Sequence, residues 1–136
     1  MTYKKMKDLS SIMLSGDMSF PDNEAEATVL LQYALEEIGL TAYSEKLIVK
    51  DIPELTTGRE IMDIMPDGKV KLRPMLPTSD DDIVDIDEGL CYPVARFMAS
   101  VISMEKMEYH RNIAFKEVEK YNKRFISISE RVANGQ

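Results

Sequence analysis

The chain has 136 residues, enough for a single domain (1–136) whose core buries roughly two-thirds of the surface exposed by the unfolded chain. Apolar residues make up 44% and charged residues 30%, which is typical of a folded protein and too apolar for a disordered one. The net charge is −7, and residues 105–136 hold seven Lys and Arg against five Glu (+2), so residues 1–104 sum to −9. Because DNA affinity comes mainly from neutralised phosphates, this charge argues against a protein that grips nucleic acid.

The sequence also bears on the cellular compartment. Cys91 is the only cysteine, so an intramolecular disulfide is impossible, and a thiol on an apolar helix face suits a reducing compartment. The basic start of the chain (Lys4, Lys5, Lys7) is not followed by an apolar run of signal-peptide length. No run of eighteen apolar residues occurs, so we expect no membrane span and a protein made in the cytoplasm.

The first 22 residues read as a short helix and a loop. Apolar residues at helical spacing predict an amphipathic helix over 2–14, capped by Thr2 and ending near Gly16. After the loop, Asn23 with Glu26 three residues later forms a variant of the capping box. A helix over 24–38 follows, with Gly39 expected as the residue that ends it.

The central part of the chain predicts extended structure. LIVKDI (47–52) reads as an extended piece that Pro53 stops. Residues 59–86 are predicted to form a hairpin around a Pro-Asp-Gly turn, followed by an acidic loop. Pro74 and Pro77 stiffen the entry to that loop, so we expect the loop to be held out rather than collapsed onto the body.

A helix is predicted to follow the acidic loop. Asp85 or Asp87 is expected to cap it, with Glu88 in the first turn where the helix dipole favours acids. Pro93 lies beyond the first turn of this predicted helix, where a proline removes a backbone hydrogen bond and its ring presses on the carbonyl of Gly89. We therefore predict a kink or a register change at residues 89–93. The apolar stripe expected to face the core is Leu90, Val94, Phe97, Val101 and Met104.

The last helix, predicted over 106–132, carries an apolar seam longer than a core of this size can cover. Its spacings alternate four and three over more than three heptads, and its length is roughly 40 Å. We therefore predict that its C-terminal part contacts another subunit or a partner protein. The predicted interface residues are Val118, Tyr121, Arg124, Phe125, Ile128 and Val132.

Motifs for catalysis or cofactor binding are not found in the sequence. His110, the only histidine, is interpreted as a solvated helix position, and Cys91 as a core residue, since neither belongs to a nucleophile motif. The acidic run does not fit a calcium loop, because placing Gly89 at the sixth position puts Val84 at the first. Weak surface cation binding by the aspartates at 80–82 is the alternative, and phosphate-binding glycine motifs are missing. We expect no catalytic site, cofactor or structural metal.

The order of these parts resembles the head-to-tail adaptor (connector) subunits of tailed bacteriophages. The likeness covers residues 24–126 and rests on four stretches: ALEEIGL, REIMDIMPDGKVKLRPMLP, DDDIVDIDEGLCYPVARFMASVIS and EVEKYNKRF. In that family an Asp-rich loop leads through an Ile-Asp-Ile entry into a helix, and the final helix carries a Tyr-Asn pair. The resemblance implies a mainly α fold, a small helical bundle with a long C-terminal helix and a central β-hairpin or extended loop.

The resemblance also implies a structural role at the head-tail junction of a virion assembled in the host cytoplasm. The subunit would form a homo-oligomeric ring of about twelve copies beneath the portal protein and contact tail proteins below. DNA would pass through the ring without specific binding, with Asp80, Asp81 and Asp82 facing the channel. The alternative is a small acidic regulator, for example a DNA mimic that inhibits a host protein; an enzyme ranks third.

Overall fold

A computed structural model describes residues 1–14, 19–49 and 59–133, with 126–133 described by their backbone alone. The described chain is mainly helical, with one small antiparallel sheet. The helices are α1 (Tyr3–Met13), α2 (Glu24–Thr41), α3 (Cys91–Ile102) and α4 (Met107–Ala133); the strands are β1 (Ile48–Val49), β2 (Ile61–Ile64) and β3 (Val70–Leu72). Short 3-10 turns at Glu88–Leu90 and Met104–Lys106 precede α3 and α4.

Helix α1 is fastened to the acidic loop. The Thr2 hydroxyl caps the helix by accepting from the Lys5 amide at 3.2 Å, as predicted. The amides of Tyr3 and Lys4, which lack partners within the helix, donate to the carbonyls of Asp82 and Asp80 at 2.9 and 3.0 Å. The prediction of a loop held away from the body is therefore wrong, because the loop supplies acceptors that the start of α1 requires. The helix ends at Met13, with Leu14 as its C-cap, shortly before the predicted end near Gly16, which lies outside the described residues.

Helix α2 begins as predicted and ends later. The Asn23 side chain accepts from the amides of Ala25 and Glu26 at 2.9 and 3.2 Å. Gly39 does not end the helix: it is buried within α2, which continues to Thr41. A Cβ at this position would lie 3.2 Å from the Met62 side chain and 3.3 Å from that of Leu47, so the glycine lets the sheet approach the helix closely.

The sheet has the order β1-β3-β2 with antiparallel neighbours, which confirms the predicted hairpin and adds a third strand. Gly68, at φ 87°, allows the left-handed turn between β2 and β3. β1 falls within the predicted extended piece, of which residues 50–52 lie outside the described part. The sheet is joined to α2 by the buried Lys71 side chain, whose Nζ donates to the Leu40 carbonyl at 2.7 Å.

Helix α3 lies against α1, α2 and α4 and carries much of the core, including Leu90 before it and Val94 and Phe97 within it. The predicted register change is confirmed: a 3-10 turn precedes α3, and Pro93 occupies the first turn of the helix, where an amide needs no partner. The stripe was predicted one turn too long. Met104 lies beyond the end of α3 and is 76% exposed.

Candidate functional site

The described residues contain one buried polar network, centred on Asp87, that joins three separate parts of the chain. Asp87 is only 8% exposed. Its carboxylate accepts hydrogen bonds from the Ser44 hydroxyl at 3.0 Å and from the amides of Glu45 and Lys46 at 2.8 and 2.9 Å. The Tyr121 hydroxyl of α4 donates the fourth hydrogen bond at 2.5 Å. The predicted capping of the helix by the Asp87 side chain is therefore wrong. The side chain instead joins the loop after α2 to α4.

The four donors keep this buried carboxylate ionised. Burial raises the pKa of Asp87, but the hydrogen bonds from Tyr121, Lys46, Glu45 and Ser44 outweigh it and hold the pKa below its ordinary value. The same arrangement raises the pKa of Tyr121, through burial and through its bond to the Asp87 carboxylate. A deprotonated acceptor facing a protonated phenol is thus the stable state near neutral pH.

Asn122, the neighbour of Tyr121, makes a second connection between α4 and the end of α2. Its Oδ1 accepts from the Tyr43 amide at 2.7 Å, and its Nδ2 donates to the Thr41 carbonyl at 3.1 Å. Residues from two of the stretches that carry the family resemblance, Asp87 from DDDIVDIDEGLCYPVARFMASVIS and the Tyr-Asn pair from EVEKYNKRF, thus meet in space. Gly89 allows this contact, because a Cβ there would lie 2.7 Å from the Tyr121 ring.

The predicted interface residues of α4 have different environments. Val118 has no exposed surface and belongs to the chain's own core, so in this fold it offers nothing to a partner. Tyr121 belongs to the Asp87 network, and the ring of Phe125 lies 4.8 Å from that of Tyr43. Arg124 is exposed, with its guanidinium 5.5 Å from the Tyr121 ring centre. The side chains of Ile128 and Val132 lie outside the described part.

The acids of the loop have basic partners from α1 and amide partners within the loop itself. Asp80 forms an ion pair with Lys7 at 2.7 Å, and the Asp82 carboxylate accepts from the Thr78 and Ser79 amides at 2.8 and 3.1 Å. Asp81 is exposed. Asp80 and Asp82 are therefore compensated by partners within the chain's own fold.

The last acids of the run are likewise compensated. Asp85 pairs with Arg59 at 2.6 Å and accepts from the Met75 amide at 2.9 Å. Glu88 lies in a first helical turn as expected, that of the 3-10 turn Glu88–Leu90, and its carboxylate also pairs with the amino group of Met1 at 2.5 Å. The hydrogen bond from that amino group lowers the pKa of Glu88, and this effect is larger than the rise that burial causes.

An open apolar groove of about 530 Å³ lies between α2 and the end of α3. Its walls are the side chains of Pro21, Ala25, Glu26, Val29, Leu30, Tyr33, Val101 and Ile102. Val29 is 65% exposed and Tyr33 43% exposed, so the groove presents large apolar groups to the solvent. Surfaces of this kind mark sites of contact with other macromolecules.

The two candidate reactive residues are both buried. Cys91 has no exposed surface, and burial raises the pKa of its thiol to about 11, so it is neutral and confirmed as a core residue. His110 was predicted to be solvated, which is wrong: it is 2% exposed, beneath α3 and at the start of α4. The available signal was its spacing of four from Ala114, itself four residues from Val118, which places it on the buried stripe.

Within the described ranges, no three His, Cys, Asp or Glu side chains are grouped closely enough to hold a metal ion. In the same part of the chain, no helix combines the length and the apolar character needed to cross a bilayer. No protein-family model, curated protein or solved structure matches this chain.

Proposed function

We propose that this chain is a structural virion protein, the subunit of a head-to-tail adaptor ring that joins a portal to a tail and continues the DNA channel. The observation that carries the proposal is the Asp87 network. Asp87, Tyr121 and Asn122 stand in two stretches that resemble the adaptor family. Asp87 and Asn122 each bond to the loop after α2, and Tyr121 bonds to Asp87, all across long sequence separations. Chance likeness in short helical motifs would not require these particular residues to meet.

The finer architecture is part of the same proposal. Helices α1 to α4 form one small bundle around α3, and the Asp87 network sets the direction in which α4 leaves it. α4 spans 27 residues, which is roughly 40 Å by the helical rise. Among its described side chains, the fully buried apolar ones are Ala114 and Val118, so the chain's own core covers only part of this length. In this proposal the part of α4 beyond the Asp87 network contacts a neighbouring subunit or the portal.

A closed ring needs two different surfaces that fit each other on successive subunits. The groove beside α2 supplies one, apolar at Val29 and Tyr33 and with Glu26 in its wall. In the proposal, residues 119–133 supply the other: they contain four Lys and Arg against two Glu, together with the predicted apolar positions Phe125, Ile128 and Val132. Acidic and basic partners favour this head-to-tail orientation over a contact between identical faces.

The acidic loop retains its proposed place at the channel, with one refinement. Asp80 and Asp82 are engaged by Lys7 and by the Thr78 and Ser79 amides, whereas Asp81 is exposed. Asp81 is therefore the side chain of the three that would face passing DNA and repel it. The internal partners of Asp80 and Asp82 weigh against a DNA mimic, which needs its carboxylates displayed to a basic partner.

The experiment is sedimentation velocity of the purified chain over a range of concentrations. We expect a discrete large species, and we expect Val29→Asp to abolish it by placing a charge in the groove. Ile64→Asp is the matched control, because Ile64 is 67% exposed in the hairpin, close to the 65% of Val29. A parent that stays monomeric at every concentration, alone and with portal protein, contradicts the proposal.

A further inference from the structure

The apolar groove and the last part of α4, residues 123–133, lie at opposite ends of α2. The groove follows the first half of α2, from Ala25 to Tyr33. α4 passes the other end of α2, where the Asn122 side chain donates to the Thr41 carbonyl, and then continues. Between Ala25 and Thr41 the helix rises about 24 Å. Residues 123–133, which we call the overhang, therefore reach a groove only on another copy of the chain.

α4 runs in the same direction as α2. The Phe97 ring of α3 lies 5.4 Å from the ring of Tyr33 in the middle of α2, and 5.9 Å from the ring of Phe115 in the first half of α4. Further along both helices, Thr41 of α2 is bonded to Asn122 of α4. Both helices therefore advance from the groove toward the end of the fold that the overhang leaves.

A closed ring restricts the direction in which the overhang of one subunit enters the groove of the next. In the proposed ring of about twelve copies, successive subunits are related by a rotation of about 30°, which changes the direction of a helix by no more than that angle. The neighbour's α4 therefore keeps close to the direction of this chain's α4 and α2. In the groove, the start of the overhang at Lys123 and Arg124 then lies beside Glu26, and its end lies toward Tyr33.

The apolar spacing of the overhang fits the length of the groove. From Phe125 through Ile128 to Val132 the helix rises about 10.5 Å, and the wall of the groove from Ala25 to Tyr33 rises about 12 Å. The three apolar positions follow one another at spacings of three and four, so they share one face of α4. One face of the overhang therefore matches the exposed stripe of α2 in length and in apolar character.

The charges at the two ends of the groove favour the same direction. Glu26, at the start of the groove, is exposed and forms no ion pair with a described residue. Arg111 lies near the other end, with its guanidinium 5.1 Å from the Phe97 ring centre, and within the described part of the chain it has no carboxylate partner either. Glu26 attracts Lys123 and Arg124, whereas Arg111 repels them.

We infer that the neighbouring subunit's α4 enters the groove parallel to α2, with an ion pair between its Arg124 and Glu26 that fixes this direction. The inference rests on the proposed ring and adds to it the direction of the partner helix and the two residues that decide it. In the opposite direction the same bases would meet Arg111.

Charge reversals on the two sides of the contact test the inference by complementation. Glu26→Arg and Arg124→Glu, each alone, should weaken assembly at least about tenfold in sedimentation velocity, because each places like charges opposite one another. An equimolar mixture of the two variants should assemble as the parent does, since every groove then meets an overhang of opposite charge. The chain that carries both substitutions should also assemble. Glu108→Arg, the same charge change at an exposed acid outside the groove lining, is the control and should leave assembly unchanged.

The outcomes separate this inference from the ring proposal. Glu26 and Arg124 are both exposed, so the variants should fold as the parent does, which circular dichroism checks. If the parent assembles and Val29→Asp does not, but the single reversals have no effect or the mixture is not restored, the ring stands and the inference is wrong. Tighter assembly of Arg111→Glu than of the parent would assign the opposite direction. A parent that never assembles overturns both.

Discussion

Replacing Tyr121 with phenylalanine removes one hydrogen bond from the buried Asp87 carboxylate and retains the aromatic ring beside Gly89 and Phe125. The three remaining donors still satisfy the carboxylate, so no charge is left unpaired. A hydrogen bond to a charged group contributes about 1.5–3 kcal/mol, and we therefore expect a loss of about 2 kcal/mol in the free energy of unfolding. For a chain of this size that loss lowers the melting temperature by about 6–10 °C.

The assay is urea unfolding followed by circular dichroism at pH 7, with Tyr92→Phe as the matched control. Tyr92 is 50% exposed, and loss of its hydroxyl should change stability by less than about 0.5 kcal/mol. Equal stabilities of Tyr121→Phe and Tyr92→Phe would refute the reasoning, because they would mean that the hydrogen bond from Tyr121 to Asp87 adds nothing to the fold.

The same network makes a prediction about pH. Hydrogen bonds hold the folded-state pKa of Asp87 below its unfolded value of about 4. The stability it contributes is therefore fully present above pH 4 and is lost as the pH falls through the lower, folded-state value. The difference between the parent and Tyr121→Phe should shrink as the pH falls below 4, and a difference that stays constant down to acid unfolding would contradict the assignment.

Three further predictions concern single residues. Gly89→Ala should destabilise the fold by about 1–3 kcal/mol in urea unfolding, since its Cβ would lie 2.7 Å from the Tyr121 ring, and a gain in stability would show that the contact relaxes freely. Cys91 should react with a thiol reagent at pH 8 far more slowly in the native chain than in guanidinium, because it is buried and its pKa is raised to about 11; equal rates would contradict its burial. The lowered folded-state pKa of His110 means that its contribution to stability is present above about pH 6.5 and declines as the pH falls, so His110→Gln should flatten the stability curve between pH 7 and 5, and an unchanged slope would contradict it.

The helices and the hairpin could be predicted from the sequence because their determinants are local. The caps Thr2 and Asn23 stand next to the helices they begin, and Gly68 stands inside the turn that needs its positive φ. The prediction that Gly39 ends α2 was wrong because the role of this glycine depends on residues that are distant in the sequence. Glycine is common just after a helix, but here its small size serves a contact with Leu47 and Met62, which only the folded chain reveals.

The polar network could not be predicted because its partners are distant along the chain. Asp87 bonds to residues 41 to 43 positions earlier and to Tyr121, 34 positions later. Locally, an Asp before an apolar helix indicates a cap, and nothing in the neighbouring residues distinguishes the two roles. The acidic loop shows the same limit, since the bases that compensate Asp80 and Asp85 come from α1 and from Arg59, outside the run.

The most direct test of the adaptor proposal is negative-stain electron microscopy of the purified chain, alone and mixed with a candidate portal protein. The account predicts closed rings with a central channel, of about twelve subunits, that cap one end of the portal and are lost in Val29→Asp but not in Ile64→Asp. A chain that stays a monomer or dimer in every sample, and competes with DNA for a basic protein, would contradict the account and favour an acidic regulator.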